Sequence, residues 1–238
     1  EIGQSAFHRE SSRLESLRNM AERYDGYGNS IRKVMEQKKN VPGIEGVVAD
    51  LIKVDQRYET AIETALGGSI QNIVTENEDT AKELIEYLKK NRFGRATFLP
   101  LTSVGGRGGF AKPEALKEKG AIGLASTLIR ADKKYDRVVQ HLLGRVLVAE
   151  HIDDAIRIAR KYNHSIFIVT LEGESLSPGG SMTGGAFRNS SNLLGRKREL
   201  TELEENVQKL EADIREARLQ IEALREQRRE RRAEAEPL

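Results

Sequence analysis

At 238 residues, with 39 Lys and Arg against 37 Asp and Glu, the chain has a formal net charge of only +2 and neither cysteine nor tryptophan. Near-neutrality excludes a global field that draws the whole chain onto a polyanion or an acidic membrane. The missing thiols exclude disulfide frameworks and thiolate metal sites, a zinc-clasped coiled-coil apex among them, and suit a reducing cytoplasm. Aromatic residues at 5% argue against a platform for stacked single-stranded bases. No apolar run approaches the ~20 residues of a membrane-spanning helix. Because the first residue is Glu1 rather than Met, a piece of a longer protein is expected.

The first forty residues are charged and helical in pattern. Leu14, Leu17, Ala21, Tyr24, Ile31 and Met35 fit one 3-4 seam, with Gly28 where a further apolar residue is due. Gly26 and Gly28 each cost about 1 kcal/mol relative to Ala inside a helix, so a break or kink is expected near them. Asn40-Val41-Pro42-Gly43 ends the helix.

From 44 to 187 the pattern alternates between β and α. Val47 to Ile52 reads as a strand, Asp55 as the cap of a helix to Leu66, and Ile70 to Thr75 as a strand. A helix follows from Asp79 to Lys90, then a strand over Ala96–Leu99. After a glycine-rich loop, Asp132 caps another helix, Val146–Val148 is a strand, Asp153 opens a helix to Tyr162, and Ile166–Val169 is a strand. The two stretches repeat one plan. Asp55-x-x-Tyr58 with Gly67 nine residues after the Tyr matches Asp132-x-x-Tyr135 with Gly144 nine after. The expected fold class is therefore mixed α/β, with two related subdomains over 41–110 and 120–192 joined by a linker at 111–119.

The last part of the chain is a coiled-coil seam of Leu200, Leu203, Val207, Leu210, Ile214, Ala217, Ile221 and Leu224, spaced 3-4-3-4-3-4-3. That alternation averages 3.5 residues, the period of a left-handed supercoil. Such a helix needs a partner for its dry edge. Arms over 1–40 and 193–238 on either side of one domain are expected to pair antiparallel within the chain.

Two glycine-rich segments invite a phosphate-binding reading. Neither Gly105–Gly109 nor Pro178-Gly179-Gly180-Ser181-Met182-Thr183-Gly184-Gly185 contains the Lys-Ser/Thr of a Walker loop or the Gly-x-Gly-x-x-Gly of a dinucleotide turn. The 178–185 stretch has no charged residue, and its glycines suit close approach of another backbone at a sheet edge. Gly179, Gly180, Ser181, Met182, Thr183, Gly184 and Gly185 are thus candidates for strand pairing between subunits. His8, His141, His151 and His164 are scattered, no metal-ligand spacing occurs, and Ser181 lacks the glycine frame of a nucleophile elbow. No catalytic residue, metal ligand or cofactor is assigned, and the chain is not expected to be an enzyme. Among the basic residues, Arg196, Lys197 and Arg198 at the start of the last helix, and Lys133 and Lys134 beside Arg130 and Arg137, could meet a phosphate backbone without reading sequence. The arginines from 228 to 232 alternate with Glu and read as a solvated face.

Helix in, glycine-bearing α/β domain, helix out resembles the hinge of the structural maintenance of chromosomes (SMC) proteins, and the bacterial type in particular. The resemblance rests on Val41-Pro42-Gly43-Ile44-Glu45-Gly46, Ala61 to Gly67, Phe98-Leu99-Pro100-Leu101, Leu142-Leu143-Gly144-Arg145, Pro178 to Gly185 and Leu194-Gly195-Arg196, in that order along the chain. It implies a homodimerisation module in which an edge of one subunit's first subdomain meets the Gly179–Gly185 edge of the other's second. It further implies weak, non-specific DNA contact near the coil junctions and a place in the nucleoid. ATPase heads and kleisin-type accessory subunits would lie at the far end of the arms, outside this chain. Some bacterial relatives carry a lysine run after the paired glycines; here Arg188 is the one basic residue in Phe187-Arg188-Asn189-Ser190. The other reading is a monomeric nucleic-acid-binding scaffold between coiled coils.

Overall fold

The computed structural model describes residues 2–105, 108–186 and 192–235. It divides into a larger unit, Tyr24–Arg196, and a smaller one of Glu1–Arg23 with Lys197–Leu238.

The larger unit builds one plan twice. In the first repeat come β1 (Ile44–Val47), a helical turn α3 (Val48–Leu51), β2 (Ile52–Val54), α4 (Glu59–Leu66), β3 (Ile73–Thr75), α5 (Glu78–Asn91) and β4 (Phe98–Pro100). The second has β5 (Ala121–Leu124), β6 (Ile129–Ala131), α6 (Asp136–Leu143), β7 (Val146–Ala149), α7 (Ile152–Lys161) and β8 (Phe167–Thr170), then adds a hairpin, β9 (Ser175–Leu176) and β10 (Met182–Thr183). Each repeat sets its first strand antiparallel to its third and the third parallel to the next. Both first strands shift register at the same place, between Ile44 and Gly46 and between Ala121 and Gly123.

β2 and β6 join the repeats as an antiparallel pair with Lys53 opposite Arg130, flanked by Ile52 with Ala131 and Val54 with Ile129. Lys53 and Arg130 hold the same position in their repeats, as do Gly46 and Gly123, and Tyr58 and Tyr135. Equivalent residues facing each other place a local twofold axis between the repeats.

Packing follows the same division. A central core takes Val48, Ile52, Ile62 and Leu66 from the first repeat and Tyr135, Val138, Leu143 and Val148 from the second, together with Leu193 and Leu194. A second core lies inside the second repeat around Leu147, Ile158 and Ile168. The third lies inside the first repeat around Ile73 and Leu84.

Several elements differ from the sequence expectation. Val47–Ile52 is not one strand: α3 separates β1 from β2, and Val48 and Ala49 are buried within that turn. A fully buried apolar run has no periodicity to tell strand from helix. The Ile70–Thr75 run likewise begins in a 3₁₀ turn, Gly67–Gln71. Asp132 does cap, accepting from the Lys134 backbone N–H at 3.0 Å. Asp55 caps nothing with its side chain and instead meets Arg130 at 2.7 Å. The predicted helix break occurs: α1 (Ile2–Glu22) stops before Tyr24 and Gly26, both at positive φ, and α2 (Asn29–Glu36) starts anew. Ile31 and Met35 therefore leave the seam and pack with β1, β3 and α5 in the third core.

In the smaller unit α1 and the body of α8 (Leu193–Ala235) pack together. Arg18 reaches Glu204 at 2.9 Å, Arg13 pairs with Glu199, and Phe7 and His8 share a groove with Ile214 and Leu219. From Arg18 with Glu204 to Phe7 with Ile214 and Leu219, numbers fall on one helix as they rise on the other, so the pair is antiparallel. The helices are 21 and 43 residues long. Leu203 and Leu14 are buried, and Leu200, Val207, Leu210 and Ile214 half-buried. Ala217 is exposed, as are Ile221 at 48% and Leu224 at 64%. On the incoming helix Leu17 is half-buried and Ala21 exposed.

Ile62 is fully buried in the core that both repeats share, whereas Ile85 on α5 is 51% exposed. Ile62→Ala is expected to cost about 2–5 kcal/mol, and Ile85→Ala to stay within about 0.5 kcal/mol. Urea unfolding of both variants checks the contrast.

Candidate dimerisation edge and basic surface

The five-stranded sheet runs β10-β9-β8-β7-β5, so the glycine-bracketed segment forms its outermost strand. β10 aligns Met182 with Leu176 and Thr183 with Ser175. The hairpin closes through Ser177–Gly180: the Gly180 N–H donates to the Ser177 carbonyl at 3.0 Å, with Pro178 and Gly179 between them. Pro followed by a residue at φ +92° is the chemistry of a type II turn, where the third position demands glycine. The Gly179 N–H also donates to the His164 carbonyl at 2.9 Å, tying the turn to the end of α7. At Gly184 a Cβ would stand 3.1 Å from the Glu174 Cγ. These glycines thus have work inside the protomer. What the hairpin presents outward is Ser181, Met182 and Thr183, all exposed, Met182 at 52%.

The three-stranded sheet runs β1-β3-β4, and among the described residues β4 pairs with β3 alone. β4 corresponds in the repeat to β8, because Phe98 faces Ile73 as Phe167 faces Val146. β8 has its other side filled by β9. The same edge is thus covered in the second repeat and open in the first.

The six candidate basic residues do not form one surface. Arg188 lies outside the described residues. Arg196 turns inward, donating to the Asp25 carbonyl at 2.6 Å. Arg198 pairs with Glu202 at 2.9 Å, and Lys197 is half-buried with interactions of its own. Lys134 is engaged with Glu45 at 2.6 Å and stands over the Tyr135 ring, 5.0 Å from its centroid. Lys133 is exposed and makes no ion pair among the described residues.

Sequence reasoning missed two carboxylates. Glu45, on β1, accepts from both Lys134 and the Tyr135 hydroxyl, the latter at 2.6 Å, bridging the repeats. Burial alone would raise its carboxyl; the two hydrogen bonds together outweigh that and hold it below the usual range. Glu63, on α4, is buried and accepts the backbone N–H groups of Leu193 and Leu194, the latter at 3.1 Å. Burial keeps its carboxyl raised, the charge of Glu59 adds to this, and the two N–H groups oppose it. The signal available was position: both lie in segments on which the family resemblance rests. Among the described residues no group of three or more His, Asp or Glu stands together to hold a metal, and no helix is long and apolar enough to cross a membrane.

The model of the SMC proteins' flexible hinge domain matches residues 41–159, which take in the first repeat, the second as far as α7, and the pairing of β2 with β6. The chain belongs to the SMC hinge family. It is 44% identical over 222 residues to the chromosome partition protein Smc of Desulfitobacterium hafniense, covering 91% of this chain and 18% of that protein. Against the Bacillus subtilis Smc it is 42% identical, covering 84% and 17%. The hinge therefore spans under a fifth of these relatives. Among solved structures it is similar to an asymmetric dimer of the Geobacillus stearothermophilus SMC hinge domain, with a TM-score of 0.85 and 36% identity over 95% of this chain and 92% of that one. It is also similar to the Pyrococcus furiosus Smc hinge with an extended coiled coil, at a TM-score of 0.56 and 29% identity over 98% and 84%. These matches take in the flanking helices as well as the hinge, and the type is that of bacterial Smc.

The Glu45 bridge has a pH signature. A carboxyl held low when folded binds its proton more weakly there than in the unfolded chain. Its stabilisation is thus present above the unfolded value of about 4.3 and lost as pH falls through the folded value. Glu45→Gln is expected to lower the urea midpoint at pH 7, with the difference from the parent shrinking steadily below pH ~4. A difference that stays constant down to acid pH would remove Glu45 as the titrating group.

Proposed function

We propose that this hinge joins two copies of its own chain through the β10 edge, making the apex at which the arms of two chromosome partition proteins meet. The observation that carries this reading is an exposed edge strand with no charged residue between Pro178 and Ala186. Water-exposed edges are normally blunted by charge, proline or cover, because unpaired N–H and C=O groups template another chain. The open side of β4 is the complementary feature, an edge filled in the second repeat by that repeat's own hairpin. A partner's β10 meeting β4, and the reverse, gives two equivalent contacts and a closed twofold dimer rather than a filament. The likeness to a hinge solved as a dimer supports the same reading. In the whole protein, ATP hydrolysis and accessory subunits of the kleisin type belong to parts beyond the hinge, which here acts without catalysis or cofactor.

The full chain is expected to sediment at twice its 26.6 kDa. Met182→Lys combined with Thr183→Lys places two charges on the strand and is expected to give a folded monomer with unchanged circular dichroism. A dimer that persists in this variant sinks the assignment of the edge.

A weaker, non-specific contact with DNA completes the reading, carried by Lys133, with Arg130 and Arg137 beside it in sequence, rather than by the inward-turned Arg196. Binding to a random duplex is expected to fall steeply as salt rises, and Lys133→Ala to reduce the salt slope by about one. No binding at low salt would leave dimerisation as the hinge's sole role.

A further inference from the structure

The two chain ends of the hinge are fastened to its first subdomain by a set of contacts that neither dimerisation nor DNA binding uses. At the incoming end, the Gly28 N–H donates to the Gln71 side-chain carbonyl at 2.9 Å, and the Ser30 hydroxyl to the Arg95 carbonyl at 2.7 Å. Gln71 precedes β3 and Arg95 precedes β4, so both anchors belong to the first repeat. Tyr24 and Tyr27 stack edge to face, their centroids 5.3 Å apart.

At the outgoing end, α8 starts at Leu193, after the second repeat in sequence. Yet its first backbone N–H groups are received by Glu63 of α4, again in the first repeat. Asn192 completes the cap by accepting from the Gly195 N–H at 2.7 Å. A Cβ at Gly195 would collide with that Asn192 side chain, which accounts for a glycine in the first turn of a helix. The next residue, Arg196, crosses to the incoming end and donates to the Asp25 carbonyl at 2.6 Å. It passes directly over Gly26, where a Cβ would lie 2.6 Å from the guanidinium and where φ is +92°. Glycine at 26 thus serves both a backbone turn and the passage of an arginine.

We propose that Glu63, Asn192 and Arg196 form a clasp that holds the incoming and outgoing chain together on the first subdomain. The β10 edge lies on the second subdomain, whereas the hydrogen bonds that fasten the two ends to the hinge are received by the first. The clasp is therefore a separate device: it adds polar contacts to the packing of Leu193 and Leu194 in the central core, and its loss loosens both roots while the dimer edge stays formed. It does not rest on the dimer reading. Arg196 reaches the Asp25 carbonyl with Nη1 while Nη2 lies over Gly26, a spread that the single ammonium of lysine does not reproduce.

Hydrogen–deuterium exchange on the full chain tests this, comparing the parent with Arg196→Ala, Arg196→Lys and Glu63→Gln. A charge-assisted hydrogen bond lost from a locally opening segment is expected to speed exchange about tenfold in residues 24–28 and 193–196. Exchange in β7, and the solution mass, are expected to stay as in the parent. Arg196→Lys keeps the charge and guards against failure of Arg196→Ala to fold; it too should loosen both segments. Unchanged exchange at both ends in Arg196→Lys overturns the clasp, as does equal acceleration in β7 or a fall in mass. Should the parent itself prove monomeric, the dimer reading fails while the exchange comparison still decides the clasp.

Discussion

The pairing of β2 with β6 is the constraint on which the rest of the hinge depends. Three residues from each strand, with Lys53 opposite Arg130, bring two incomplete α/β layers together along a local twofold axis. Neither repeat buries its apolar face alone, because the central core draws Ile62 and Leu66 from one and Val138 and Leu143 from the other. A hydrophobic core shared across the axis is worth far more than the few hydrogen bonds of a short ladder. The ladder's contribution is register: it sets which residues meet, and burial makes the meeting stable.

Symmetry within the chain makes its departures informative. Glu45 in the first repeat corresponds to Ile122 in the second, so the position that bridges to Lys134 and Tyr135 on one side packs against the central core on the other. β8 is covered by a hairpin and β4 is not. That difference leaves β4 open where β8 is covered, and adds β10 as an outermost strand. Hydrogen bonds from both chain ends run to the first repeat, while the edge strand β10 belongs to the second.

Much of the plan could be read along the chain. The acid-x-x-Tyr spacing showed the duplication, the 3-4 spacing the outgoing helix, and Gly26 the helix break. The apolar runs Val47–Ile52 and Ile70–Thr75 were misread in part, because burial on every side erases the alternation that distinguishes strand from turn. Arg196 read as a surface cation since a charge beside Lys197 and Arg198 has nothing in sequence to say that it turns inward. Glu63 was invisible for the same reason: its ligands are two backbone N–H groups more than a hundred residues away.

The sequence by itself determined the period of the helical seam, the repeated α/β plan and the uncharged, glycine-bracketed segment, since these depend on local spacing and residue chemistry. Tertiary structure alone decided that the segment closes a hairpin outside β8, that β4 is left open, and that hydrogen bonds from both chain ends run to the first subdomain. Those facts depend on which distant groups meet, and desolvation and hydrogen bonding across the fold select the meeting. Gly179 shows the boundary: a type II turn can be foreseen from Pro-Gly, but the His164 carbonyl that holds the turn in place comes only with the folded chain.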